Sequence, residues 1–183
     1  MDHGETVKEK KSMARKWKAV IGCAVCWLLL TAQDRVGLPN DYRTTFTKIR
    51  VSDRTDSKTT AVIYANAAGA MVRPGDPGPY PYGSILIDEN WSTVKDTNGN
   101  AVLESDGHYK LDKLLMIHVM RKEAGFGEGY GEHRSGEWEY VSFATDGKSY
   151  ATPPERAAVS CAQCHREFAT EKRDWVFGRY EKH

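Results

Sequence analysis

The run Cys161-Ala162-Gln163-Cys164-His165 constrains this chain more than any other stretch of it. Two thiols three residues apart lie about one helical turn from each other on one face, and an imidazole follows directly. Cys-x-x-Cys-His is the pattern by which c-type haem is attached. Each thiol forms a thioether with one vinyl group of the porphyrin, and the histidine becomes the proximal iron ligand. Cys161, Cys164 and His165 are therefore the candidate cofactor-binding residues, and His165 the candidate metal ligand. Other chemistries of a cysteine pair ask for surroundings that are missing here. A zinc site wants two further thiolate or imidazole ligands at comparable spacing, yet His108, His118, His133 and His183 are scattered, and the other cysteine pair, Cys23 and Cys26, lies in an N-terminal segment expected to be removed. A redox-active pair wants a βαβ context, and a structural disulfide leaves His165 without a role. The pattern points to one covalent haem c.

The two remaining cysteines, Cys23 and Cys26, fall in a segment with the layout of a targeting signal. Arg15-Lys16-Trp17-Lys18 is a basic patch, and an apolar run follows from Ala19 to Ala32. That run is shorter than the roughly 20 residues needed to span a bilayer. A signal peptide over residues 1–32, cleaved in export to the periplasm, is expected in place of a permanent anchor. Val20-Ile21-Gly22-Cys23 resembles a lipobox, but few apolar residues precede Cys23, so a lipoprotein anchor is the lesser alternative. Residues 33–183 then form one domain. Its charge is unremarkable, since the chain carries 26 Lys and Arg against 25 Asp and Glu. That balance gives no reason to expect a nucleic-acid or membrane-surface partner.

Periodicity predicts an α+β fold built mostly on an antiparallel sheet with short helices, one of which carries the haem motif. Leu38-Pro39-Asn40-Asp41-Tyr42 has the form of a helix entry and predicts a helix to about Lys48. Thr59–Ala65 and Ser84–Ile87 are strands by their β-branched and apolar content. Between them, 73–83 is an ordered Pro/Gly-rich loop in which Tyr80 and Tyr82 supply buried bulk. Asn98-Gly99 and Asp106-Gly107 mark turns. Leu114–Met120 alternates, with Leu115, Ile117 and Val119 on one face and Met116, His118 and Met120 on the other. Gly125, Gly127, Gly129 and Gly131 make a turn into the strand Glu137–Phe143, with Trp138 and Tyr140 on one face and Val141 and Phe143 on the other. Glu128, Glu132, His133 and Arg134 are expected in a solvated loop. Thr152-Pro153-Pro154-Glu155 opens a helix, with Thr as N-cap, that delivers residues 161–165 near its C-terminal end.

In order and spacing, several short pieces together resemble the cytochrome P-460 family, which includes the cytochromes c′-beta. They are Leu38-Pro39 with Tyr42-Arg43, the run Pro81-Tyr82-Gly83-Ser84-Ile85-Leu86-Ile87, Glu89-Asn90, Val119-Met120 with Lys122, Gly136-Glu137-Trp138, Asp146-Gly147, the haem motif, and Asp174-Trp175-Val176-Phe177. The resemblance implies a mostly-β, often dimeric protein with five-coordinate haem. Its open iron face would bind nitric oxide or a similar small nitrogen oxide, or act on hydroxylamine. In the P-460 enzymes a lysine after the Gly-Ser/Thr-x-x-Val/Ile strand is cross-linked to the porphyrin. Here Asp88 stands at that place, and Lys95 reaches it only through a gap. A carboxylate cannot form the same carbon–nitrogen bond, so the resemblance implies an uncross-linked haem. It also puts His118 where hydroxylamine-oxidising members carry a distal glutamate. His118 would then be a hydrogen-bond donor, a proton carrier or a sixth ligand, against the plainer alternative that it packs with Met116 and Met120.

Three classes of function follow. One is a cytochrome that binds a nitrogen oxide or transfers electrons to a redox partner protein. The second is an enzyme oxidising hydroxylamine or using peroxide, with Asp88 and His118 as candidate catalytic residues. The third, a module without haem, requires the motif to be accidental.

Overall fold

The computed structural model describes residues 33–73, 76–151 and 154–178. The expected signal peptide, Pro74 and Gly75 of the proline-rich loop, and the Thr152-Pro153 helix entry lie outside the described residues. No helix among the described residues is long and apolar enough to cross a membrane.

Val36–His183 form one compact unit. Five strands, β1 (Thr47–Arg54), β2 (Thr59–Ala65), β3 (Ile85–Thr93), β4 (Leu111–Lys122) and β5 (Trp138–Phe143), make an antiparallel sheet. Their order is β1-β2-β3-β4-β5. Each strand pairs with its neighbour in sequence, which is the short-connection solution for antiparallel strands. Two one-turn helices, α1 (Gln33–Val36) and α2 (Tyr42–Thr45), precede the sheet, and α3 (Pro154–Phe168) follows it. The α+β architecture expected from periodicity is the one found.

The first helix is much shorter than its entry signal suggests. The hydroxyls of Thr44 and Thr45 turn back to the Asp41 carbonyl at 2.9 and 3.1 Å, and Phe46 is already extended at ψ 152°. β-Branched Thr45, Thr47, Ile49 and Val51 favour a strand once β2 offers a partner. Residues 47–54 are accordingly β1, an element absent from the sequence reading. β3 and β4 also run further than their apolar cores, because edge-to-edge pairing carries polar residues along with them.

Alternation assigns the two faces. Ala65, Leu86, Met120, Trp138 and Tyr140 point to one side, where Tyr80, Tyr130 and Ala162 of α3 complete a core. Ile87, Ile117, Val119, Val141 and Phe143 point to the other, covered by Val36, Tyr42, Leu38 and Phe46. The faces expected for β5 and for Ile117, His118, Val119 and Met120 of β4 hold, but at a bulge in β4 Leu115 is 43% exposed while Leu114 packs with the Ile117 cluster. One further expectation fails. Tyr82 is 55% exposed, its hydroxyl donating to Glu137, so that among the described residues of that loop it is Tyr80 that fills the interior. Residues 128–133 form 3-10 turns in which Glu128 and Glu132 stay exposed, as expected of a solvated loop, while Arg134 bonds to the Phe126 and Gly136 carbonyls.

One buried carboxylate fastens α2 to the sheet. Glu89 on β3 is 1% exposed. It accepts from the Tyr42 hydroxyl, from Arg43 Nε at 2.5 Å and from Trp91 Nε1 at 3.0 Å. Removing it strands the buried Tyr42 hydroxyl and the half-buried Trp91 indole N–H, and the first is expensive to leave unpaired. Glu89→Ala should cost roughly 3 kcal/mol of unfolding free energy, with Glu89→Gln losing less because one acceptor remains. Chemical denaturation of the three proteins checks this, and equal midpoints would contradict it.

Candidate functional site

A cavity of about 470 Å³ opens between the sheet and α3, within the usual size range of ligand sites. Its floor is one sheet face, which carries Arg50 and Arg54 from β1, Ala61 and Ile63 from β2, Leu86 and Asp88 from β3, His118 and Met120 from β4, and Tyr140 from β5. Ser160, Cys161, Cys164 and His165 of α3 line it from the helix, with Val176 and Phe177 from the C-terminal segment. All five residues singled out from sequence, Asp88, His118, Cys161, Cys164 and His165, meet around this one space. Lys95 does not line it; it bridges to Ala101 beyond the end of β3.

On the helix side, Cys161 and Cys164 are free thiols one turn apart. Burial pushes the Cys161 thiol up, with hydrogen bonds from Ser142 and Ser160 acting against it. The His165 ring lies between Tyr140, centroids 4.8 Å apart, and Phe177, at 4.6 Å. Its Nδ1 is 2.7 Å from the Trp175 carbonyl oxygen. A carbonyl only accepts, so Nδ1 carries the proton and Nε2 keeps its lone pair. Burial lowers the pKa of His165 to about 4, with the Trp175 bond opposing the shift. At neutral pH this is an uncharged imidazole of one tautomer, the form in which histidine binds a metal.

On the sheet side, Asp88 and His118 stand directly opposite each other across β3 and β4. Arg54 Nη2 donates to Asp88 Oδ2 at 3.2 Å, while Asp88 Oδ1 is buried without a hydrogen-bond partner among the described residues. Burial raises the Asp88 carboxyl, against the pull of Arg54, His118 and Arg50. His118 is shifted the other way, lowered by burial with Asp88 opposing. Burial thus disfavours the charged form of both groups, and both line the cavity. His118 Nδ1 also shares a 2.8 Å hydrogen bond with Ser142 Oγ, so one β5 serine lies between His118 and Cys161.

Arg50, Arg54, Ser142 and Trp175 were not legible as site residues. The arginines sit on the strand that the sequence reading missed. A signal was there, since Arg50, Ser52 and Arg54 alternate with Val51 as a strand's two faces do.

The donor set suits an iron porphyrin. Two thiols one turn apart and an imidazole with a committed lone pair face a space whose walls are mostly apolar, and a buried carboxylate oxygen in it lacks a partner. Zinc is poorly served, because no group of three or more His, Cys, Asp or Glu side chains converges among the described residues. Fold and site together define the class of haem proteins. The chain belongs to the cytochrome P460 family, whose model matches residues 39–178. No curated protein matches it.

Asp88 gives a pH-dependent outcome whose sign is determined. A carboxyl raised in the folded state contributes its full stability below its ordinary pKa and loses it as pH rises through the folded value. Wild-type protein should therefore lose thermal stability relative to Asp88→Asn as pH climbs from about 4, with the difference flat in stronger acid. Melting curves of both proteins across pH check it; a pH-independent difference would refute it.

Proposed function

We propose that this chain is an exported c-type cytochrome that holds one haem through thioethers to Cys161 and Cys164, with His165 as iron ligand. It would bind a small nitrogen ligand such as nitric oxide, or exchange electrons with a redox partner, in the periplasm. The observation that carries this reading is the conjunction at α3. Both thiols and the lone pair of a tautomer-fixed imidazole serve the same cavity. When bound, the haem would supply a redox-active iron able to exchange an electron or take a small ligand. The protein's own contribution is to fix the imidazole, to wall the site with Leu86, Ile63, Met120 and Phe177 against bulk water, and to keep Asp88 and His118 available as proton-bearing groups. Asp88, where P-460 enzymes carry their cross-linking lysine, leaves the porphyrin unlinked at that edge. The family resemblance adds a homodimer to the proposal, open to test by sedimentation.

The Asp88–His118 pair favours one second reading, an oxidation of hydroxylamine. Such a reaction needs a group that takes up protons beside the substrate. Steady-state turnover with hydroxylamine and an electron acceptor separates the two, and its absence removes the enzyme.

Protein matured in a host competent for haem attachment should keep its haem through denaturation and show an ordinary c-type reduced-minus-oxidised spectrum. The Cys161→Ala/Cys164→Ala variant should release its haem on denaturation, and His165→Ala should lose the wild-type spectrum. Colourless wild-type protein with both thiols free would end the proposal, and a ferrous band shifted far to the red would end the unlinked porphyrin.

A further inference from the structure

The acceptor of the His165 hydrogen bond sits in an unusual piece of backbone. Asp174 and Trp175 are consecutive left-handed residues, at φ 54° and 60°. Two such non-glycine residues in a row are sterically costly and persist only where their surroundings hold them. Here the hold is specific. Asp174 Oδ2 accepts from Lys122 Nζ at 2.5 Å and from the Tyr80 amide at 2.9 Å. The Asp174 carbonyl accepts from Trp138 Nε1 at 2.8 Å. The Asp174 and Trp175 amides bond back to Glu171 and Thr170. Lys122 and Asp174 are 8% and 12% exposed, so their pairing is a buried one. The turn is also pressed from both sides. A Cβ on Gly136 would lie 2.8 Å from Trp175 Cδ1, and one on Gly78 would lie 2.7 Å from Asp174 Cβ.

We infer that Lys122 and Asp174 are positioning residues for the iron ligand. By locking this turn they aim the Trp175 carbonyl at His165 Nδ1, and so set how strongly the imidazole donates. The inference rests on the haem reading of His165. The chain of cause is short. A hydrogen bond from Nδ1–H to a well-placed carbonyl leaves more electron density on the ring and makes Nε2 a stronger donor. A stronger donor favours ferric iron. Slackening the turn lengthens or misaligns the bond and favours ferrous iron.

Lys122→Met separates positioning from plain electrostatics, because the two predict opposite signs. Loss of a buried cation by itself makes the site more negative and lowers the reduction potential. Loss of the locked turn raises it. We expect the potential of the holoprotein to rise by about one tenfold step in the ferric–ferrous equilibrium constant, ~59 mV for one electron, and the iron–histidine stretch of the ferrous protein to fall in frequency. A potential that falls, or a potential and stretch that both stay put, overturns the inference. Should Lys122→Met not fold, Gly136→Ala decides, since it strains the backbone at φ 66° and pushes on the Trp175 ring without changing any charge. A raised potential there supports the positioning role and an unchanged one refutes it. Wild-type protein that takes up no haem would instead defeat the haem reading itself, an outcome visible before any variant is made.

Discussion

The hydrogen bond between His165 Nδ1 and the Trp175 carbonyl is where the separate parts of this molecule converge. The histidine arrives on α3, and the carbonyl arrives on a C-terminal segment threaded back over the sheet. For the two to meet at 2.7 Å, α3 must dock on β5 and residues 174–175 must hold a strained turn. The loop carrying Tyr80 must also come close enough for its amide to bind Asp174. Trp138, fully buried on β5, ties strand to turn through its indole N–H. Tyr80 packs edge-on against that same indole at 5.6 Å. Packing of this face therefore governs the chemistry of a single imidazole.

The sheet divides its labour by face. One face is closed by Val36, Leu38, α2 and the Glu89 clamp and is structural. The other is left partly open and carries a graded wall, apolar near α3 and charged toward β1, where Arg50 and Arg54 stand. Asp88 and Glu89 are adjacent in sequence yet serve opposite faces, as the pleat requires. One is partnered on both oxygens; the other keeps a buried oxygen without a partner in the cavity. A buried carboxylate oxygen on the cavity side with no hydrogen bond among the described residues is the pattern expected when a polar group is kept for a ligand.

Legibility from sequence varied with the kind of signal. Leu114–Met120 and Glu137–Phe143 were readable because each has one apolar face and a period of two. The strand at 47–54 was not, since its cavity side is Arg50 and Arg54 and its other side holds Val51 among polar residues. A strand whose inward face is charged carries no hydrophobic alternation to detect. Tyr82 misled for a related reason. An aromatic ring beside Tyr80 looks like core, but residues 80 and 82 of that loop project differently, and only tertiary packing chose between them.

What the sequence determined by itself is the local chemistry: a thiol pair and an imidazole at fixed spacing on one helix, the strands with clean alternation, and the hairpin turns at Gly99 and Gly107. These depend on contacts within a few residues, which covalent geometry and backbone preference already dictate. The tertiary structure alone decided which distant groups share the cavity. It set Asp88 opposite His118, brought Arg54 to Asp88, and aimed a carbonyl ten residues downstream at His165. Those meetings rest on strand register and on the docking of α3, quantities summed over the whole domain and written in no single segment.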